Sequence, residues 1–276
     1  MDSRHDHDKP TLIGVRYDAS SSFIRGAAHG PAAIRAALFS PASNGWSESG
    51  VDVLADGALA DEGDLQPEDS AAARASIETT IRAVVARGRR PIMLGGDHSI
   101  TYAAVRALAT TFPDLSVVQF DAHPDLYDSF EGDRWSHACQ FARILEERLA
   151  KTLVQVGIRT MTGHQRDQAE RFAVDVIDMR RWAAGERPTV NAPVYLSIDL
   201  DVLDPAFAPG VSHLEPGGLS VRDVVTEIHR LGNKIVAADV VELNPTRDVN
   251  SVTAFVAAKL VKEIAAQAAG EQRSPR

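Results

Sequence analysis

Two rhythms alternate along this chain. Short apolar runs rich in β-branched residues fall at Thr11–Arg16, Val51–Leu54, Pro91–Gly95, Leu115–Asp121, Leu153–Ile158, Val174–Asp178, Pro193–Asp199 and Ile235–Val241. Between them lie stretches with helical spacing. "EDSAAARASIETTIRAVVARGRR" starts at an acidic turn and closes on Arg87, Gly88 and Arg89, as a helix C-terminus should. "SITYAAVRALATTF" predicts a helix with Ser99 as N-cap, and "SVRDVVTEIHRLG" one with Ser220 as N-cap and Gly232 as stop. "SVTAFVAAKLVKEIAAQAA" predicts a long closing helix. Strands that alternate with helices imply an α/β protein: a mainly parallel eight-stranded sheet covered on both faces, three layers in all. Nothing splits the chain, so one domain is expected over residues 10–270, with loose tails at 1–9 and 271–276.

Composition narrows the partners. The chain has 276 residues, 44% of them hydrophobic, with a net charge of −9. An acidic protein is poorly suited to a phosphate backbone, so nucleic acid is not expected, and a small cation suits it better. The single cysteine, Cys139, excludes an internal disulfide and fits a cytoplasmic location. No apolar run approaches the roughly 18 residues of a membrane span. The opening "MDSRHDHDKP" contains no apolar stretch, so no signal peptide is expected there.

In open α/β sheets, ligands gather at the carboxyl ends of strands. Four runs end in acids or histidines here: Asp97 and His98; Asp121, His123 and Asp125; Asp199, Asp201 and Asp204; Asp239 and Glu242. In an extended chain, residues i, i+2 and i+4 share a face. Asp121, His123 and Asp125 can therefore point one way, and so can Asp199 and Asp201. With His98, four carboxylates and two imidazoles converge. Such carboxylates would repel one another unless divalent cations neutralised them. Six donors exceed what one ion with an open position needs but suit two. An oxygen-rich set without thiolate favours a harder ion such as Mn²⁺ over structural zinc.

Other candidates have plainer explanations. Asp204–Pro205 reads as a turn, and Asp97, Asp128 and Asp239 as supporting or capping groups. His5 and His7 sit in a charged terminal run of the kind that is usually solvated. His29, His164 and His229 read as surface or packing residues. Cys139 lies two residues after His137 but reads as an inert buried thiol.

The sequence resembles the ureohydrolase family of arginases, agmatinases, guanidinobutyrases and formimidoylglutamases. "GGDHS", "FDAHPDLYD", "SIDLDVLDPAFAPG", "EPGGLS" and "VELNP" match its signatures in order, and "GVRYDASSSFIRGAAHGPAAIR" is similar to its N-terminal segment. The resemblance implies two Mn²⁺ per chain: one held by His98, Asp121, Asp125 and Asp199, the other by Asp121, His123, Asp199 and Asp201, with Asp121 and Asp199 bridging. It also implies that hydroxide attacks a guanidinium carbon, with urea and an amine as products. Glu242 would anchor the guanidinium, Asp125 would orient the nucleophile and take its proton, and His137 would shuttle a proton to the leaving amine. A homo-oligomer, trimer or hexamer, is implied as well. "GDRWSHACQFARILEE" is similar to agmatinases and lacks the Asn- and Ser-rich stretch of arginases, which points to agmatine or a guanidino acid such as 4-guanidinobutyrate. The formimidoylglutamase and arginase branches remain alternatives. A metal-dependent deacylase and a catalytically silent regulator on the same scaffold are alternatives of another kind. Where many agmatinases carry Thr-Pro before "EPGGL", this chain has His213 and Leu214. His213 is expected at the mouth of the site against the substrate tail, where a partly protonated ring would favour a carboxylate.

Overall fold

The computed structural model describes residues 8–191 and 193–269. The tail residues 1–7 and 270–276, with His5 and His7, lie outside the described residues. Asp8 and Lys9 pair with the chain near Gly88 and Arg90.

The strands are β1 (Pro10–Val15), β2 (Ala60–Leu65), β3 (Arg90–Leu94), β4 (Ser116–Phe120), β5 (Thr152–Val156), β6 (Asp175–Ile177), β7 (Val194–Asp199) and β8 (Ile235–Val241). The helices are α1 (Gly30–Leu38), α2 (Ser70–Ala86), α3 (Ile100–Ala109), α4 (Gln140–Glu146), α5 (Gly163–Arg171), α6 (Met179–Ala183), α7 (Val221–Leu231) and α8 (Val252–Ala268). Among the described residues the strands form one sheet in the order β2-β1-β3-β8-β7-β4-β5-β6, and every pairing between them is parallel.

The near-continuous apolar strands follow from burial on both faces. Successive side chains go to opposite layers: Leu12, Ile92, Leu94, Val118, Phe120, Leu196 and Ile198 pack under α1, α7 and α8. Ile13, Met93, Val117, Tyr195 and Ala237 pack under α2, α3 and α4. α7 begins at a capping box between Ser220 and Asp223 and stops at Gly232, whose φ of 57° suits glycine. Its Val224, Ile228 and Leu231 are buried, each contributing roughly 1.5–3 kcal/mol of apolar burial.

Two local expectations change. The second strand is Ala60–Leu65, not Val51–Leu54. Val53 is buried in the core, but its segment forms only a single antiparallel bridge, Trp46 to Asp52. β2 is an outer strand of the sheet and mostly exposed, so it carries no apolar pattern. Its acids are instead held by Arg35, which pairs with Asp61 and Asp64, and by Arg87, which pairs with Glu62. Ser99 does not cap α3: its backbone is already helical, and its hydroxyl donates to Asp97.

The topology sets the site. β3, β8, β7 and β4 are neighbours at the sheet centre. Their carboxyl ends put His98, Glu242, Asp199 and Asp121 on one rim.

Candidate metal centre

The loop after β3 opens with two glycines. A Cβ on Gly96 would lie 1.7 Å from the Tyr17 carbonyl oxygen, so only glycine lets this loop press against the N-terminal segment. Asp97 N donates to Tyr17 O (2.8 Å), and the Gly96 carbonyl accepts Glu242 N (3.0 Å). His98 is thereby fixed at the rim, fully buried, with its own N–H donated to Glu242 Oε1 at 2.9 Å.

The six expected donors converge, though not by strand alternation. β4 ends at Phe120, and Asp121 to Asp125 form an irregular loop in which Asp125 has φ of 50°. Asp199 ends β7, and Asp201 sits in the short 3₁₀ turn Leu200–Val202, its N–H donated to Asp199 Oδ1 (2.8 Å). His98 Nδ1 faces Asp121 Oδ2, Asp125 Oδ2 and Asp199 Oδ2 at 3.0, 3.2 and 3.3 Å. His123 Nδ1 faces Asp201 Oδ2 and Asp121 Oδ1 at 2.9 and 3.5 Å. Two groups of potential ligand atoms result: His98, Asp121 and Asp199, and Asp121, His123 and Asp201. Asp121 joins both, turning one oxygen to each. Asp199 turns Oδ2 to the first group and Oδ1 to the Asp201 backbone.

The tautomer of His98 tests whether a cation fits. Ser197 Oγ donates to Asp239 Oδ1 (2.7 Å), and Asp239 Oδ2 also accepts from the hydroxyls of Thr101 and Tyr195. Ser197 Oγ therefore accepts the hydrogen of His98 Nε2, 2.9 Å away. A neutral ring then carries its lone pair on Nδ1, a buried atom without a hydrogen-bond partner that faces three carboxylate oxygens. Lone pairs on both sides are the chemistry of a cation site.

Electrostatics point the same way. Burial pushes the His98 pKa down, but Asp121, Asp125 and Asp199 outweigh it and hold it well above its ordinary value. Burial and the neighbouring Asp201 and Asp121 push Asp199 well above the carboxylate range. Burial and the charge on Asp121 raise Asp125. Burial opposes charge on Asp121 too, yet hydrogen bonds to His123 and His98 keep its pKa low. Divalent charge relieves these conflicts together.

Several supporting residues escape sequence reasoning. Gln119 Nε2 donates to Asp121 Oδ2 (2.7 Å) and His123 O (3.0 Å). Gln155 Nε2 supports it through Gln119 Oε1 and Pro124 O, both at 2.6 Å. Gln140 Nε2 donates to Asp125 Oδ2 (2.7 Å). A signal for the first two is present: "VVQF" and "LVQV" each place one glutamine inside a buried strand, and the two stand in register.

Above the donors lies a cavity of about 190 Å³, bounded by His123, Asp125, His137, His213, Glu242, Tyr127 and others. Glu242 is buried and held at φ of 66°, a strained conformation for a non-glycine residue. His137 Nδ1 is 3.4 Å from Glu242 Oε1. Burial pushes His137 down, and Glu242 more than offsets it, up to about 9. His213 lines the cavity, stacked on His137 at 5.3 Å and edge-on to His123 at 5.9 Å. Burial and the adjacent His137 lower its pKa. That direction disfavours the protonated ring expected from sequence. Ser22, from the loop after β1, reaches His137 Nε2 and was not foreseen.

The other candidates fall outside the centre. Asp97 anchors Ser20 N (2.9 Å), Asp128 accepts from Gln168 Nε2 (2.7 Å), and Asp204 caps a turn through Ala206 N and Gly217 N. His229 pairs with Glu263, and His164 stacks on Tyr127. Burial pushes the Cys139 thiol up to about 12, which leaves it unreactive.

The Arginase family model matches residues 8–266, and the chain belongs to that family. Its members are hydrolases of guanidino and amidino groups, and this chain is one of them, a metal-dependent C–N hydrolase. It is 43% identical to "Arginase 1, mitochondrial" of Arabidopsis thaliana, over 93% of this chain and 80% of that protein. It is 36% identical to the guanidinopropionase of Pseudomonas aeruginosa, over 92% and 84%. The solved agmatine ureohydrolase of Thermoplasma volcanium superposes with a TM-score of 0.86 at 35% identity, over 95% of this chain and 90% of that one.

Proposed function

We propose that this chain hydrolyses a linear guanidino compound to urea and an amine at two Mn²⁺ ions. His98, Asp121, Asp125 and Asp199 hold one ion; Asp121, His123, Asp199 and Asp201 hold the other. The observation that carries the proposal is His98 Nδ1, buried, bare and aimed at three carboxylates. When bound, the metal pair supplies the lowered pKa that makes water a nucleophile near neutral pH.

The protein's own groups do the rest. A guanidinium keeps its charge at neutral pH, and the acidic floor of the cavity attracts it. Glu242 pairs with its N–H groups, a geometry that suits a carboxylate. Asp125, steadied by Gln140, orients the attacking water and takes a proton. His137, beside Glu242, gives a proton to the leaving nitrogen. With all six donors in place, a catalytically silent homologue lacks the loss of ligands it usually shows.

Tyr127, Thr160, Thr162, Gln165 and His213 line the part of the cavity left for the tail of the substrate, and among the described residues neither Lys nor Arg lines it. Burial and His137 lower the His213 pKa, which weakens any preference for an acid tail over agmatine. Arginine is a second reading with an observation of its own: its tail has no net charge, and an uncharged wall of hydroxyls and amide suits it. The plant relatives named arginase support it. We place the protein in the cytoplasm as a homotrimer or homohexamer. The deciding experiment measures urea from arginine, agmatine, 4-guanidinobutyrate and 3-guanidinopropionate with Mn²⁺-loaded protein. Release from at least one is expected to disappear on chelation; full activity in protein shown by elemental analysis to be metal-free would overturn the proposal.

A further inference from the structure

His137 is held from two sides. Nδ1 faces Glu242. On the opposite edge, Nε2 lies 3.3 Å from the backbone nitrogen of Ser22 and 2.9 Å from its hydroxyl. The amide can only donate, so Nε2 accepts, and the hydrogen of a neutral ring sits on Nδ1 towards Glu242. The hydroxyl can donate or accept, so it alone can follow a change in ring protonation.

The loop that carries Ser22 is braced. Asp18 Oδ2 accepts Gly26 N (2.7 Å) and Ala28 N (3.2 Å). Ser20 N donates to Asp97 Oδ2 (2.9 Å), and Ser20 O accepts His137 N (3.2 Å). One short segment thus fixes both the backbone and the ring of His137. Ser22 is exposed, whereas the His137 side chain is 11% exposed, so Ser22 stands between the ring and solvent.

We propose that Ser22 is the positioning residue of His137: its amide fixes the tautomer that points a proton into the site, and its hydroxyl replaces that proton from solvent. This rests on the reading of His137 as proton donor to the leaving nitrogen. Nε2 first takes the hydroxyl proton of Ser22 while Oγ takes one from solvent water, which gives the charged ring that Glu242 favours; as the C–N bond breaks, the leaving nitrogen takes the Nδ1 proton. Protons balance: the attacking water gives up two, the leaving nitrogen gains two, and solvent takes up one and returns one. Once the product leaves, Nε2 returns its proton through Oγ to solvent and Nδ1 takes one from water in the cavity, one proton each way, which restores the tautomer the amide favours.

The test uses the full chain. Ser22→Ala removes the hydroxyl and keeps the amide; it should lower kcat on the order of tenfold, the worth of one such hydrogen bond, with KM and metal content unchanged. Ser22→Thr should restore kcat. Nitrogen-15 spectra of labelled histidine in diamagnetic Zn²⁺-loaded protein, recorded above pH 9 where the ring is neutral and with His137→Asn for assignment, should show it protonated at Nδ1 and bare at Nε2. The opposite tautomer, wild-type kcat in Ser22→Ala, or a loss that Ser22→Thr shares would each overturn the proposal. If no guanidino compound yields urea with the wild type, the functional reading fails, while the nitrogen shifts still decide the tautomer.

Discussion

Replacing Ser197 by alanine tests the metal centre without touching a ligand. Ser197 Oγ sits between His98 Nε2 (2.9 Å) and Asp239 Oδ1 (2.7 Å) at a position with no solvent exposure. Ser197→Ala leaves a buried N–H without an acceptor, at a cost of about 1–3 kcal/mol. Asp239 keeps Thr101 and Tyr195 as donors, so its charge stays partly satisfied. The His98 ring escapes the penalty by moving its hydrogen to Nδ1 or by turning, and either removes a ligand. Mn²⁺ affinity should therefore fall about 10- to 100-fold, which is about 1.4–2.8 kcal/mol and matches the hydrogen-bond cost. Competition with a chelator of known affinity measures it. Ser197→Thr, which keeps the hydroxyl, should bind metal nearly as the wild type does. Wild-type Mn²⁺ affinity in Ser197→Ala would show that the hydroxyl does not set the tautomer, even if the melting temperature falls.

Asp121 offers an oxygen to each ligand group, whereas Asp201 belongs to one, so elemental analysis should find both ions lost from Asp121→Ala and about one per chain kept by Asp201→Ala; equal loss would refute the bridging role. His137→Ala should lower kcat by about 10²-fold, typical of general acid help, at unchanged metal content, and wild-type turnover would remove it from the reaction. Glu263 in α8 is buried and bonded to His229, Lys259 and Glu48 N. Burial raises its pKa, but Lys259 and His229 outweigh that and hold it below the ordinary 4.5, so its stabilisation is complete above that value and fades as pH falls through the lower folded value. Glu263→Gln should thus cost about 1.5–3 kcal/mol at pH 7 and progressively less in acid; a deficit independent of pH in urea melts would show that charge plays no part.

What the sequence made legible was burial, and its failures trace to places where burial and structure part company. Six strands were readable because they run through the core and must be apolar on both faces; β6, at the other edge, was marked by its short β-branched run Val174–Ile177. β2 was not, because an outer strand pairs through its backbone on one side, and its acids answer to Arg35 and Arg87 rather than to the core. Val51–Leu54 misled for the converse reason: Val53 is buried without being in a strand. The cluster of acids and imidazoles was reached by a pattern whose outcome, convergence on one rim, is seen but whose cause is different. Period-two spacing predicted that Asp121, His123 and Asp125 share a face, yet the chain leaves the sheet at Phe120 and reaches Asp125 through a positive φ. Loop ligands can still be found by spacing, because four adjacent strands end on one rim and leave acids and imidazoles only one place to go. Contacts made across the fold through exposed backbone leave no such trace. The Ser22 amide meets His137 Nε2 across 115 residues, and every non-proline residue carries the same N–H. No residue type or spacing marks which amide will be used, so the device that fixes the His137 tautomer is visible only in three dimensions.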